Sequence, residues 1–168
     1  SYTLIRDLFI FCTFTGLSWM DMANLTQANL QTSFDGHLWL NTNRQKTGVE
    51  TNIRLLDVAK HIIEKYRDMA PDGKLLPVPC YNNCKNSIKA IAKRCDIEKN
   101  VTWHTARHTY ATTICLMNGV SLETLSKMLG HKRITTTQTY AKVTQPMVDR
   151  EVEICLLYTS PSPRDGLL

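Results

Sequence analysis

Residues 28–42 read ANLQTSFDGHLWLNT, and the periodicity of this stretch decides the fold class. Leu30 is followed by the turn signal Phe34-Asp35-Gly36, then by Leu38 and Leu40 two residues apart. Alternation around an Asp-Gly step marks a β-hairpin, because successive side chains of a strand point to opposite faces. RQKTG (44–48) supplies a second turn, and VETNIRL (49–55) alternates Val49, Thr51 and Ile53 as a third strand. A small three-stranded antiparallel sheet is therefore expected near the N-terminus.

Away from this stretch the period is helical. LIRDLFIFCTF (4–14) reads as a mostly buried helix broken at Thr15-Gly16, and Ser18 can cap a short helix reaching Asn24. Asp57 is placed to cap DVAKHIIEKYRDM (57–69), with Val58, Ile62, Ile63 and Tyr66 at helical spacing. Pro71 to Pro79 reads as a loop and 82–95 as an amphipathic helix. HTARHTYATTICLMN (104–118) reads as one strong helix ended by Gly119. SLETLSKMLG (121–130) has an N-cap in Ser121 and a stop in Gly130. ITTTQTYAKV (134–143) is a last helical stretch, followed by PMVDREVEI (146–154) with Pro146 in its first turn. No repeat is visible. The expectation is one α+β domain over residues 1–154, mostly helical with the sheet inserted early.

At 168 residues, 43% hydrophobic and 21% charged, the chain can bury one sizeable core. Twenty Lys and Arg against 15 Asp and Glu give a net charge of +5, which permits a polyanionic partner without demanding one. The longest apolar run, Leu8 to Trp19, is interrupted by Thr13, Thr15 and Ser18. It falls short of the roughly 20 apolar residues that cross a bilayer, so no membrane partner is expected. The six cysteines are irregularly spaced, Cys12 and Cys115 lie in apolar helical patterns, and no signal peptide is expected. Reduced thiols and a cytoplasmic setting follow. The start at Ser1, without an initiator Met, suggests a fragment.

Five features could carry chemistry. His104 and Arg107 lie three residues apart near a helix start and share a face, with His108 one position further on. His131 follows Gly130, where a helix has just ended, and Tyr140 lies nine residues on in a Thr-rich stretch of poor helix propensity. Lys46 sits in the second hairpin turn, and Asp21 follows the Thr15-Gly16 break by about a turn. Singly, each has an ordinary reading as a solvated or packing residue. A C₂H₂ zinc reading of Cys80, Cys84, His104 and His108 fits poorly, because the central gap is 19 residues rather than about 12. As a set, several cations and one tyrosine suit metal-free cleavage of a phosphodiester. Arg matches the non-bridging oxygens, Lys can protonate a leaving oxygen, and a phenolate can form a reversible phosphodiester.

The ordered set of T-G-L, R-Q-K-T-G, W-H-T-A-R-H, L-G-H and T-T-Q-T-Y-A resembles the catalytic domain of a tyrosine recombinase, in particular integrases of Bacteroides-type mobile elements. The resemblance covers about Leu4 to Val148, with 24 residues from Arg107 to His131 and nine more to Tyr140. It implies that Tyr140 is the nucleophile forming a 3′-phosphotyrosine and that Lys46 protonates the 5′ oxygen. It further implies that Arg107 clamps the phosphate, His104 handles the tyrosine proton, His131 donates to the phosphate, and Asp21 supports the site. No metal or other cofactor is implied. The implied partners are double-stranded DNA and, for the full-length protein, further copies of itself forming a tetramer on DNA.

One position departs from the family pattern. An Arg is expected directly after T-G-L, and Ser18 stands there. Losing one such donor costs about 10²–10³ in rate. Three outcomes remain open: a catalytically impaired DNA-binding relative, substitution by Arg6 or Arg44 (Arg6 first), or donation by Ser18 itself. A type IB topoisomerase-like activity is a further alternative. The resemblance also implies N-terminal DNA-binding domains ahead of Ser1. Residues 155–165, CLLYTSPSPRD, look like the translation of a sequencing-library adapter. On that reading 155–168 is a non-native tail, and Tyr158 is no rival to Tyr140.

Overall fold

A computed structural model describes residues 2–71, 73–141 and 145–159, with side chains at 148–156 in the last stretch. Helix α1 (Tyr2–Thr15) is the post on which the rest is arranged. Its residues Ile5, Leu8, Phe11, Cys12 and Thr15 recur every three or four positions and are buried, so one stripe faces the core. Helices α3 (Asp57–Tyr66), α4 (Tyr81–Arg94) and α5 (Trp103–Thr109) all pack against it. Asp7 ties α1 to α3: Lys65 Nζ donates to its Oδ2 at 2.6 Å and the Tyr66 hydroxyl at 2.8 Å. Burial pushes this carboxyl up, but hydrogen bonds from Lys65, Arg6 and Tyr66 outweigh burial and hold it below its ordinary value.

The sheet is β1 (Leu30–Thr32), β2 (Leu38–Asn43) and β3 (Glu50–Arg54), antiparallel in that order. Leu40 lies between Leu30 and Ile53 in the register. Leu40 and Ile53 are fully buried, while Gln31, Asn41 and Asn52 line a groove on the other side. That one-sided burial is what the alternation in 28–42 requires. The expected α+β architecture, mostly helical with one small sheet, is the architecture observed. No helix among the described residues is long and apolar enough to cross a membrane.

Three local expectations are corrected. Asp57 is the first helical residue rather than the cap: Leu56 holds the cap position, and the Asp57 carboxylate accepts from Lys60 Nζ at 3.0 Å. The buried face is Ala59, Ile62, Ile63 and Tyr66, and Val58 is 41% exposed. The stretch 104–118 is not one regular helix. After α5 it runs through a π-helical segment, Tyr110–Cys115, and a 3₁₀ turn, Leu116–Asn118, to a left-handed Gly119. The π segment carries the β-branched run Thr112-Thr113-Ile114, whose stiff side chains disfavour regular helix. Finally, α7 (Ile134–Gln138) stops before Tyr140, which sits in the following turn with its N–H on the Thr137 carbonyl at 2.9 Å. Three consecutive threonines give that helix little intrinsic propensity to extend.

Helix α2 (Trp19–Ala23) is capped by Ser18, and α6 (Leu122–Met128) by Ser121, whose Oγ accepts from Thr124 N at 3.2 Å. A second core joins Tyr110, Cys115, Leu116, Leu125, Leu129 and Tyr140. Helix α8 (Gln145–Thr159) is tied back by Arg150 Nη1, which donates to the Met117 carbonyl at 2.7 Å. Residues 155–159 continue that helix, and 160–168 lie outside the described residues.

Gly16 joins the two cores. It has φ of +71°, and a Cβ there would stand 2.4 Å from Tyr110 Cδ1. Gly16→Ala is therefore expected to cost about 2–5 kcal/mol, combining left-handed strain with overpacking. Gly36→Ala, which meets nothing within 4 Å, should cost only the left-handed strain, about 1–2 kcal/mol. Urea denaturation of the two variants checks the difference, and equal losses would contradict the close approach.

Candidate active site

Arg107 is 3% exposed and has no carboxylate partner among the described residues. Its Nη1 donates to the Gly16 carbonyl at 2.6 Å, and its Nη2 donates to the Leu129 carbonyl and faces His131 Nε2 at 3.2 Å. One guanidinium thus bridges the break after α1 and the end of α6. Its Nε is buried with no protein partner. Burial, reinforced by the charge of Arg44, lowers its pKa to about 10, so it remains charged at neutral pH.

The β2–β3 turn closes over the same place. Arg44 Nη1 donates to the Leu129 carbonyl at 3.3 Å, and the Arg44 Nε is likewise buried and unpartnered. Lys46, exposed at the tip, is close enough for its charge to depress His104. Asp21, 3% exposed, uses both carboxylate oxygens: Oδ1 accepts from Gln45 N at 2.9 Å and Oδ2 from the Ser18 hydroxyl at 2.6 Å. Ser18 therefore spends its hydroxyl proton on Asp21. In front of it lies a cavity of about 350 Å³ bordered by Trp19, Tyr81, Trp103, His104 and Arg107.

His131 Nδ1 lies 2.8 Å from Thr137 Oγ1. Because a guanidinium only donates, the contact with Arg107 makes Nε2 an acceptor and leaves the imidazole proton on Nδ1, toward Thr137. Burial and then the charges of Arg107 and Arg44 push His131 down to about 4, so the ring is neutral at pH 7. Burial and then Arg107 and His108 also lower His104. Tyr140 is 6% exposed. Its ring lies parallel to His131, with centroids 6.2 Å apart, and edge-on to His108 at 5.2 Å.

Of the residues singled out by sequence, Arg107, His131, Tyr140, His104, Lys46, Arg44, Ser18 and Asp21 converge on this region. Arg6 does not join them. Its Nε and Nη2 both lie 2.8 Å from Asp7 Oδ1, and it is not among the charges that depress Arg107, His104 or His131. The cysteines and histidines of the zinc reading do not gather: among the described residues no group of three or more His, Cys, Asp or Glu could hold a metal.

A family model described as the phage integrase family matches residues 2–146. The chain belongs to the phage integrase family. Among relatives of this integrase-family domain, tyrosine recombinase XerD of Listeria monocytogenes serotype 4b is 48% identical over 58 residues, covering 34% of this chain and 19% of that protein. The integrase of Escherichia phage P2 is 31% identical over 136 residues, covering 81% of this chain and 37% of that protein. XerH site-specific recombinase bound to difH substrate, in a pre-cleavage complex, has a TM-score of 0.67 at 16% identity, over 92% of this chain and 48% of that one. That last likeness is one of fold. The chain spans less than half the length of each of these proteins.

Three contributions to this integrase-family site were not foreseen from the sequence: Thr137 under His131, His108 against Tyr140, and the Leu129 carbonyl shared by Arg44 and Arg107. The Thr-rich run before Tyr140 held a signal for the first. Nothing local marks the carbonyl. The state of His131 yields a pH prediction. Its proton affinity is about 4 in the folded chain against an ordinary 6.5, so the unfolded chain binds more protons between those values. Stability must fall as pH drops from 6.5 toward 4. The loss attributable to this half-buried ring is on the order of 1–2 kcal/mol. Thermal unfolding of the parent chain and His131→Gln across that window should show a shallower decline for the variant, and parallel curves would contradict the assignment.

Proposed function

We propose that the full-length protein is a site-specific DNA recombinase or integrase that breaks and rejoins double-stranded DNA through a 3′-phosphotyrosine at Tyr140. The observation that carries this reading is the pair of buried, unpartnered guanidinium N–H donors, on Arg107 and Arg44, beside a nearly buried tyrosine. An orphaned buried donor costs about 1–3 kcal/mol, and two guanidinium groups meeting at the Leu129 carbonyl favour an anionic ligand. The relatives named for tyrosine recombination and integration support the reading.

In the proposed step the Tyr140 oxygen attacks the scissile phosphorus. A P–O(Tyr) bond forms, and the P–O5′ bond breaks, its electron pair leaving with O5′. Lys46 supplies the proton that O5′ takes up. His104, held neutral by burial and neighbouring cations, accepts the phenol proton. Arg107 and Arg44 hold the non-bridging oxygens, and Arg44 thereby supplies the guanidinium that position 18 lacks. When Arg107 turns to phosphate, His131 loses its donor partner, and moving its proton from Nδ1 to Nε2 lets it donate to the same oxygens. Asp21 acts indirectly, through Gln45 and Ser18. Strand exchange between two duplexes calls for four protomers, so a tetramer on DNA in the bacterial cytoplasm is the proposed working form. The tail from residue 155 takes no part in this chemistry.

The test uses the full-length protein and nicked DNA from the junctions flanking its gene. A covalent protein–DNA adduct is expected, and Tyr140→Phe should abolish it. Arg44→Ala should slow its formation by about 10²–10³, while Arg6→Ala leaves the rate unchanged. Salt-sensitive DNA binding without any adduct would instead establish a binding protein that has lost catalysis.

A further inference from the structure

We infer that Thr47 is a positioning residue for Lys46, latching the lysine-bearing turn to the peptide unit that begins His131. The inference rests on the proposed role of Lys46 as general acid.

Lys46 lies at an exposed hairpin tip, where a connecting turn is ordinarily the most mobile part of a fold. A general acid in such a place would be inefficient, because proton transfer requires the donor within hydrogen-bond reach of the leaving oxygen. Here the residues on both sides of Lys46 are held. On one side Gln45 N donates to the buried Asp21 carboxylate at 2.9 Å. On the other, Thr47 Oγ1 donates to the Gly130 carbonyl at 2.9 Å. Inside the turn, Thr47 N and Gly48 N both donate to the Arg44 carbonyl, at 3.2 and 2.7 Å.

The acceptor chosen by Thr47 gives the latch its meaning. The Gly130 carbonyl shares a peptide plane with the His131 N–H, which itself donates to the Ser126 carbonyl at 3.0 Å. The Lys46 turn and the His131 backbone are thus joined through one peptide unit. Gly130 permits this approach: its φ is +62°, and a Cβ there would stand 2.7 Å from Thr51 Cγ2 and 3.3 Å from Arg44 Cβ. The Thr47 hydroxyl also accepts a long hydrogen bond from Val49 N at 3.4 Å, while the Asp21 and Arg44 ties of the hairpin do not involve it, so its loss falls mainly on the Gly130 latch and the aim of Lys46.

Thr47→Val keeps the shape and removes the hydroxyl, both as donor to Gly130 and as acceptor from Val49 N; Thr47→Ser keeps both. Adduct formation by the full-length protein is compared on two forms of the same junction DNA. One has the ordinary 5′ bridging oxygen at the scissile position, and the other has sulfur, which leaves as a thiolate without needing a proton. On the oxygen substrate Thr47→Val should be slower by on the order of ten-fold, a part of the 10²–10⁴ that a general acid contributes, with DNA affinity unchanged and Thr47→Ser near the parent rate. On the sulfur substrate Thr47→Val should match the parent. An equal defect on both substrates, or no defect on oxygen, overturns the inference alone. Failure of the parent protein to form an adduct on either substrate overturns the recombinase reading and this assignment with it.

Discussion

The structure turns on a single buried cation. Arg107 places a guanidinium between the Gly16 carbonyl, just after α1, and the Leu129 carbonyl at the end of α6. The first core lies on one side of it and the second, containing Tyr140, on the other. A charge desolvated to this degree is normally paired with a carboxylate. Here carbonyl dipoles stand in for one, and the nearby acid, Asp21, is committed to Gln45 and Ser18. The domain is assembled around a positive charge held by carbonyl oxygens rather than by a carboxylate.

Much of the local chemistry follows from that charge. Burial first, and then this charge, lowers the proton affinity of His131 and His104. The charge also dictates which nitrogen of His131 carries the proton. Arg44 adds a second guanidinium at the same carbonyl. Ser18 caps α2 and donates to Asp21.

The sheet was legible because its evidence is local: a Phe-Asp-Gly turn, a second turn at 44–48, and alternation between them. The convergence of Arg107, His131, Lys46 and Tyr140 was legible as an ordered set of short motifs. What could not be read was distance across the chain. Arg6 and Arg44 come from segments flanking Ser18, and only the folded structure shows that Arg6 stays on its α1 neighbour Asp7 while Arg44 reaches the Leu129 carbonyl. Ile62, Ile63 and Tyr66 are buried as their spacing predicts, whereas Val58, in the first turn of α3, faces outward and Ala59 takes the buried place. The 104–118 stretch leaves regular helix at Tyr110, where the β-branched run Thr112-Thr113-Ile114 follows, and the close approach of Gly16 to the Tyr110 ring, from 94 positions earlier, has no local signal.

The central claim is that this cluster of cations makes Tyr140 the residue that takes the DNA strand. Mass spectrometry of the trapped protein–DNA adduct, after nuclease and protease digestion, tests it most directly. The account predicts a peptide containing Tyr140 that carries a nucleotide through a 3′-phosphate. Attachment at another residue, such as Tyr158, or linkage through a 5′-phosphate, would contradict it.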